Sequence, residues 1–297
     1  MLMSDTTFAS FAPAQASPTS IFGYEIIDRI GEGAGSLVYA VSQPGTGQIF
    51  ALKHVIRKSE KDVRFIEQLE NEYNVGKQIV HPSLRRVVDF KANRTVLRKF
   101  IDAALVLELF DGSALEQHLP TDLLEILDCF IATAGALGAM HDHGFIHCDL
   151  KPNNIMRNAR GDVKVIDLGQ ACPIGTAKER IQGTPDFISP EQVHCKPVSK
   201  PTDVFNFGAT LYWALARKPM PTLFTITKGE NSFLLDDTIP TPADANPAVP
   251  APLSNFVMEC VRTNPAKRPQ DMTEVIRRLE VMRHVVERDH KPRRFVN

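Results

Sequence analysis

The sequence lacks most features that assign a chain to a specialised class. No uninterrupted apolar run approaches the roughly 18 residues that a membrane span requires, so no membrane is expected as a partner. The five cysteines (Cys129, Cys148, Cys172, Cys195, Cys260) are odd in number and include no CxxC pair. Neither a disulfide framework nor a zinc knuckle follows from them, and a reducing, cytoplasmic setting is expected. A formal net charge of −1 gives the chain no overall attraction to nucleic acid. The first twenty residues have no basic segment leading into a long apolar stretch, so they are a poor match to a secretory signal. Their Ala, Ser, Thr and Pro content predicts a flexible tail over 1–21. The remaining composition, 43% apolar and 23% charged in 297 residues, suits one large globular unit or two lobes sharing an interface.

Order is expected to begin at "FGYEIIDRIGEGAGSLVYAV". Alternating Tyr24, Ile26 and Ile30 read as a strand, the glycines at 31, 33 and 35 break it, and Leu37 to Val41 resume it. "QIFALKHVI", "VVDF" and "ALVLELF" supply three more strands, and an amphipathic helix over 60–79 stops before His81-Pro82. From residue 111 the pattern turns helical, over about 121–142, 202–217, 252–262 and 271–287, with two short strands flanking Arg160-Gly161. Residues 221–251, rich in Pro, Thr and Asp, read as a surface loop. Strands first and helices after predict an α+β protein of two lobes.

Three stretches carry chemistry. In "GEGAGSLV" a glycine turn between strands lets backbone N–H groups approach phosphate oxygens unobstructed by a Cβ, although a plain hairpin turn has the same look. Lys53, on the next strand between apolar neighbours, either snorkels to water or reaches the phosphates under that turn. In the second case it needs an acid, and Glu60, Glu67, Glu70 and Glu72 on the following helix all qualify by composition. The third stretch is "HCDLKPNN", followed a hairpin later by "IDLG". Asp149 can accept or orient a hydroxyl proton, Lys151 can neutralise a phosphoryl group in transfer, and Asn154 and Asp167 offer the hard oxygens that suit Mg²⁺. Two polar turns with capping Asp and Asn would have to supply four chemically matched groups by chance.

With these residues in place the sequence resembles the eukaryotic-type (Hanks) Ser/Thr protein kinases, in their stand-alone bacterial form, from about residue 24 to 284. The resemblance rests on Gly31, Gly33 and Val38 of the glycine loop, Lys53 of the strand, and His147, Asp149, Lys151, Pro152 and Asn154 of the catalytic loop. It continues through Asp167-Leu168-Gly169, "GTPDFISPE" with Thr184 and Glu191, "DVFNFG" with Asp203, and Arg268 in "NPAKRP". It implies a bilobal fold with a five-stranded antiparallel N-lobe carrying helix C (22–110) and a mainly helical C-lobe (111–288), then a tail over 289–297. It implies ATP as phosphoryl donor, Mg²⁺ (or Mn²⁺) held by Asn154 and Asp167, and protein Ser/Thr hydroxyls as acceptors facing Thr184. Asp149, Lys151, Lys53 and Glu72 become the catalytic group, Glu72 being selected by its place nine residues before His81. Ile30, Gly31, Gly33, Gly35, Ser36, Val38, Ala51, Lys53, Leu107 and Met156 would line the nucleotide pocket, with the backbone of Glu108 and Phe110 holding the adenine.

Four departures shape the expectations. Ser36 stands for the third loop glycine, and Gly35 stands where the family usually has an aromatic, which predicts a looser loop. Cys148 replaces the arginine that usually meets an activation-loop phosphate, so dependence on that phosphorylation should be weak. Leu168 replaces Phe conservatively. Gly76, one turn past Glu72, leaves out a large apolar side chain and predicts a gap beside helix C, which a regulatory partner or a dimer contact would fill. The alternatives to a protein kinase are a pseudokinase scaffold and a kinase-fold enzyme acting on a small molecule, the second opposed by "GTPDFISPE", which resembles a segment that docks a polypeptide. Cys172, three residues beyond Gly169, offers either a redox-sensitive thiol or a buried neutral cysteine, and is read as the latter; the basic C-terminal stretch offers either a partner-binding surface or a solvated helix face and tail, and is read as the latter.

Overall fold

The computed structural model describes residues 19–33, 35–221 and 239–290. Its first part is a six-stranded antiparallel sheet in the order β1-β2-β3-β4-β6-β5. The strands are β1 (Ser20–Ile21), β2 (Tyr24–Gly33), β3 (Ser36–Ser42), β4 (Ile49–Ile56), β5 (Val87–Arg94) and β6 (Phe100–Glu108). Five strands were expected. The sixth is the two-residue β1, which pairs Ser20 with Glu25 and Ile21 with Tyr24 and so draws the end of the predicted tail into the sheet. Period-two alternation divides the sheet's residues between two faces. Ala51, Val55, Ala103, Leu105 and Leu107 face Ile66 and Leu69 of helix α1 (Val63–Gly76), while Phe50, Leu52, Ala104 and Val106 join Tyr24 and Val41 on the other side.

Helix α1 is shorter than the predicted 60–79 and seats closely on the sheet. The gap expected at Gly76 does not exist. A Cβ built there would lie 2.3 Å from Val87 Cγ2 and 3.5 Å from Leu168 Cδ1. The β-branched Val87, at the start of β5, fills the space that a large residue on α1 would have taken. The glycine is therefore required for close approach, and the motive for a partner or dimer contact at α1 disappears with the gap.

The second part is helical. After the short strand β7 (Ser113–Ala114), helix α2 (Leu123–Asp142) starts at Asp122, whose carboxylate accepts from the N–H groups of Leu124 and Glu125. By length and composition α2 is apolar enough to cross a membrane, at a mean hydropathy of 1.7, although Glu125 and Asp128 interrupt it and leave no uninterrupted apolar run of that length. Its place accounts for the apolarity. Phe130, Leu137 and Met140 are fully buried in one core with residues of α4 (Lys200–Ala216) and α7 (Met272–His290), and Phe130 meets Phe207 edge to face. Helix α4 is buried almost all round, as a helix through the middle of a lobe must be. Strands β9 (Ile155–Arg157) and β10 (Val163–Val165) form the expected hairpin about Gly161. Strand β8 (Phe145–Ile146) pairs with β11 (Cys172–Pro173). Helices α3 (Pro190–Val193), α5 (Pro242–Ala245) and α6 (Ala251–Cys260) complete the lobe. The predicted loop over 221–251 holds α5 and the start of α6, and its residues 222–238 lie outside the described residues.

Candidate active site

The stretch "HCDLKPNN" crosses between β8 and β9, and a hydrogen-bonded triangle is built on it. Lys151 Nζ donates to Asp149 Oδ2 and to Thr184 Oγ1, both at 2.9 Å, and Thr184 Oγ1 donates to Asp149 Oδ1 at 2.8 Å. Both oxygens of Asp149 are thus oriented by side chains that the sequence had singled out. Asn154 is buried and gives its Nδ2 to the Asp149 carbonyl at 2.8 Å. That fixes the amide so that its oxygen is the free end, with no hydrogen bond among the described residues. A cavity of about 340 Å³ opens beside the triangle, bordered by Asp149, Lys151, Asp167, Thr184, Arg64 and Arg180.

The other half of the site comes from the sheet and α1. Lys53 Nζ lies 3.1 Å from Glu72 Oε2 and 3.1 Å from Asp167 Oδ1, so Glu72, and not another helix glutamate, is its partner. Burial alone would lower the Lys53 ammonium. The carboxylates of Asp167 and Glu72 outweigh it and hold the pKa above the ordinary lysine range. Asp167 is held below the carboxylate range by the Lys53 charge, against its own burial. It sits in the left-handed region at φ 64°, uncommon for a side-chain-bearing residue and tolerated by Asp. Its Oδ2 has no hydrogen bond among the described residues. Asp167 Oδ2 and Asn154 Oδ1 are therefore available hard oxygens, a donor set that fits a divalent cation.

The Ser36 hydroxyl is buried without a hydrogen-bond partner among the described residues, and a Cβ on Gly33 would come 2.9 Å from it. At Gly35 (φ +72°) a Cβ would come 2.4 Å from the Phe65 ring. An aromatic from α1 thus covers the turn where the family carries one within the loop. Ile30 lies half-exposed on β2, Val38 stands opposite Lys53 across β3 and β4, Ala51 pairs with Leu107 across β4 and β6, and Met156 lies half-buried on β9. The backbone past Leu107 is more occupied than expected. The Glu108 N–H donates to the Arg86 carbonyl at 2.9 Å, and its carbonyl accepts from Arg85 Nε at 3.0 Å. The Phe110 carbonyl accepts from Gly112 N–H, while its own N–H is free of partners among the described residues.

Several supporting residues were not foreseen. Asn71, beside Glu72 on α1, donates through Nδ2 to the carbonyls of Leu168, Gly169 and Ala171 at 2.9–3.2 Å and so straps the Asp167 segment to the helix. Gln192 Nε2 donates to the Cys148 carbonyl at 2.7 Å, and His141 Nε2 lies 2.9 Å from Asp203 Oδ2. Arg85 has no motif either. A register of contacts across elements, not local spacing, is what would reveal them. The foreseen supports are in place. Asp203 accepts from the N–H groups of His147 and Cys148 at 2.8 and 2.9 Å. Burial would raise its pKa, but His141 and His147 hold it low. Arg268 and Glu191 form a buried bidentate pair at 2.7 and 3.0 Å. None of Lys53, Glu72, Asp149, Asn154 or Asp167 is displaced, so the scaffold alternative finds no missing group.

Comparison with known proteins agrees with this arrangement. The family model described as the protein kinase domain matches residues 24–280. A probable serine/threonine-protein kinase of Corynebacterium efficiens is 30% identical over 279 residues, which cover 87% of this chain and 41% of that protein. One of Clostridium acetobutylicum is 25% identical over 261 residues, covering 85% and 39% respectively. Serine/threonine-protein kinase 36 of Mus musculus is 27% identical over 251 residues, covering 82% of this chain and 18% of that protein. The chain spans less than half the length of each of these relatives.

Proposed function

The chain belongs to the protein kinase domain family, and from that membership we propose that it transfers the γ-phosphate of ATP to Ser and Thr hydroxyls of protein substrates with Mg²⁺ as the required metal. The observation that carries the reading is the Asp149–Lys151–Thr184 triangle, which borders one cavity with Asp167, the partner of Lys53 at 3.1 Å. Asp149, with both oxygens oriented, takes or positions the acceptor's hydroxyl proton. Lys151 places a positive charge where the transferring group becomes anionic. Lys53, kept protonated by two carboxylates, binds the donor's phosphates, and Glu72 prevents it from swinging away. Asn154 and Asp167 would hold the metal, which when bound neutralises charge on the phosphates. Thr184, between Asp149 and Lys151, stands where an acceptor hydroxyl would dock, which favours Ser or Thr. The free state of all five cysteines supports a cytoplasmic setting as part of the same reading.

The test is to incubate the protein with γ-labelled Mg-ATP and two acceptor sets, a basic protein with Ser/Thr-containing peptides and a set of small hydroxylic metabolites. Label recovered as phosphoserine and phosphothreonine is the expected result. Label confined to metabolites, or to phosphotyrosine, overturns the substrate assignment.

A further inference from the structure

The catalytic loop and the start of the activation segment each bring one cysteine to the same point. Cys148 and Cys172 are 24 residues apart, and their sulfurs lie 3.6 Å from each other. Both are buried, in a small apolar cluster with Ile146 and Val198 that is separate from the main core. A thiol pair in such a cluster can be plain packing. Three observations set this one apart.

First, the backbone brings the two residues together independently of the sulfurs. Strand β11 pairs Cys172 with Ile146 of β8, two residues before Cys148. Cys148 is further pinned by its N–H to Asp203, by its carbonyl to Gln192, and by a left-handed φ of 66° that is uncommon for cysteine. Second, the two thiols are chemically unequal. The hydrogen bond from Cys148, with help from Lys178, lowers the Cys172 thiol to about 7, against its burial, whereas the same contact and burial hold Cys148 well above the ordinary range. A thiolate beside a protonated thiol is the arrangement in which one sulfur attacks and the other resolves. Third, Cys172 lies close to the surface: it keeps 6% of its area exposed, and Pro173, Ile174 and Gly175 that follow it are all exposed. The remaining cysteines share none of this. Burial raises Cys129 to about 12 and raises Cys260 as well, and no contact between Cys195 and another cysteine is present among the described residues.

We propose that Cys148 and Cys172 are a reversible disulfide site, oxidised by a hydroperoxide, that covalently ties the catalytic loop to the start of the activation segment. The Cys172 thiolate attacks one peroxide oxygen, and the O–O bond breaks. With hydrogen peroxide, hydroxide leaves and takes up a proton as water, and Cys172 becomes a sulfenic acid. The Cys148 sulfur then attacks the sulfenic sulfur. The S–O bond breaks, the S–S bond forms, and the departing hydroxide takes the Cys148 proton as a second water. Two thiols lose two electrons and the peroxide gains them. Closing from 3.6 Å to the roughly 2.0 Å of a disulfide needs a side-chain adjustment, not a new fold. Small-molecule dithiols reverse the step by exchange. The thiol site and the phosphotransfer reading stand or fall separately, because the chemistry is read by mass and not by activity.

The experiment treats the whole native protein with hydrogen peroxide, blocks remaining thiols, and maps the digest by mass spectrometry. The expected product is one cross-link joining the Cys148 and Cys172 peptides, about 2 Da lighter than their sum and lost on dithiothreitol treatment. In C148S a dimedone adduct should appear on Cys172. In C172S, Cys148 should stay reduced and no cross-link should form. As a second readout that does not need C148S to fold, the oxidised wild type should melt about 5 °C higher than the reduced one, and C172S should show no such difference. A native protein that keeps both thiols through peroxide treatment, or one that cross-links through Cys195 instead, overturns the proposal.

Discussion

At the scale of single residues, the site depends on which oxygens are already taken. Arg85 carries no motif, yet its Nε occupies the Glu108 carbonyl at the edge where a nucleotide base is expected. Burial draws the Arg85 guanidinium below its ordinary value, so it is held there at a desolvation cost. In R85L that carbonyl becomes free for a base amino group. Nucleotide titration should then show roughly tenfold tighter ATP binding, about 1.4 kcal/mol, while unchanged or weaker binding would show that the guanidinium assists the base. Asp203 gives a pH prediction. Its folded pKa is depressed by the two histidines, so it stabilises the fold above the ordinary carboxylate pKa of about 3.9 and loses that contribution as pH falls through its lower folded value. Denaturant midpoints measured from about pH 6 to about pH 3 should fall less steeply in D203N than in wild type. The chemistry-bearing residues were legible because they lie close in sequence: Asp149, Lys151 and Asn154 fall within six positions of one loop. Asn71, Gln192 and Arg85 were not, because they donate to carbonyls on distant segments, up to 100 residues away for Asn71, 44 for Gln192 and 23 for Arg85, and no spacing rule joins them.

At the scale of elements, the contact between α1 and β5 decides how firmly Glu72 is presented. Sequence reasoning foresaw a helix here, longer by three residues at each end than α1, and the family resemblance selected Glu72, the glutamate that pairs with Lys53, but Gly76 was read as a void. The filling atoms belong to Val87, which lies on another element and enters the site only once the sheet has formed. Helix propensity alone would favour G76A by about 1 kcal/mol. The 2.3 Å approach to Val87 Cγ2 reverses the sign, and a net loss of about 1–2 kcal/mol is expected from overpacking. On a V87A background the obstruction is removed, and G76A should instead stabilise by up to about 1 kcal/mol. Urea unfolding of the four proteins measures this coupling, and simple additivity would show that Val87 does not fill the site. The same contact explains why the partner expected at this face has no gap to occupy.

At the scale of the whole molecule, the two-lobed layout was legible because strand and helix periodicities divide the chain near residue 111. The apolarity of α2 could not be interpreted from the sequence, since a core helix and a membrane span share a composition until their neighbours are known. Long-range ion pairs fix the helical lobe. Arg268 and Glu191, 77 residues apart, are both buried, and the Arg268 guanidinium also donates to the carbonyls of Pro201, Arg262 and Thr263. R268A should cost about 3–5 kcal/mol, because it leaves a carboxylate buried without its partner, and a loss below about 1 kcal/mol in chemical denaturation would contradict this. The central claim, that Asp149 sits at the centre of a working phosphotransfer site, is tested most directly by the rate of γ-phosphate transfer from Mg-ATP to a Ser/Thr peptide, comparing wild type with D149N and confirming equal thermal midpoints. The account predicts transfer by wild type and a fall of about 10²- to 10⁴-fold in D149N; equal rates in the two proteins, or no transfer by a folded wild type that binds ATP, would contradict it.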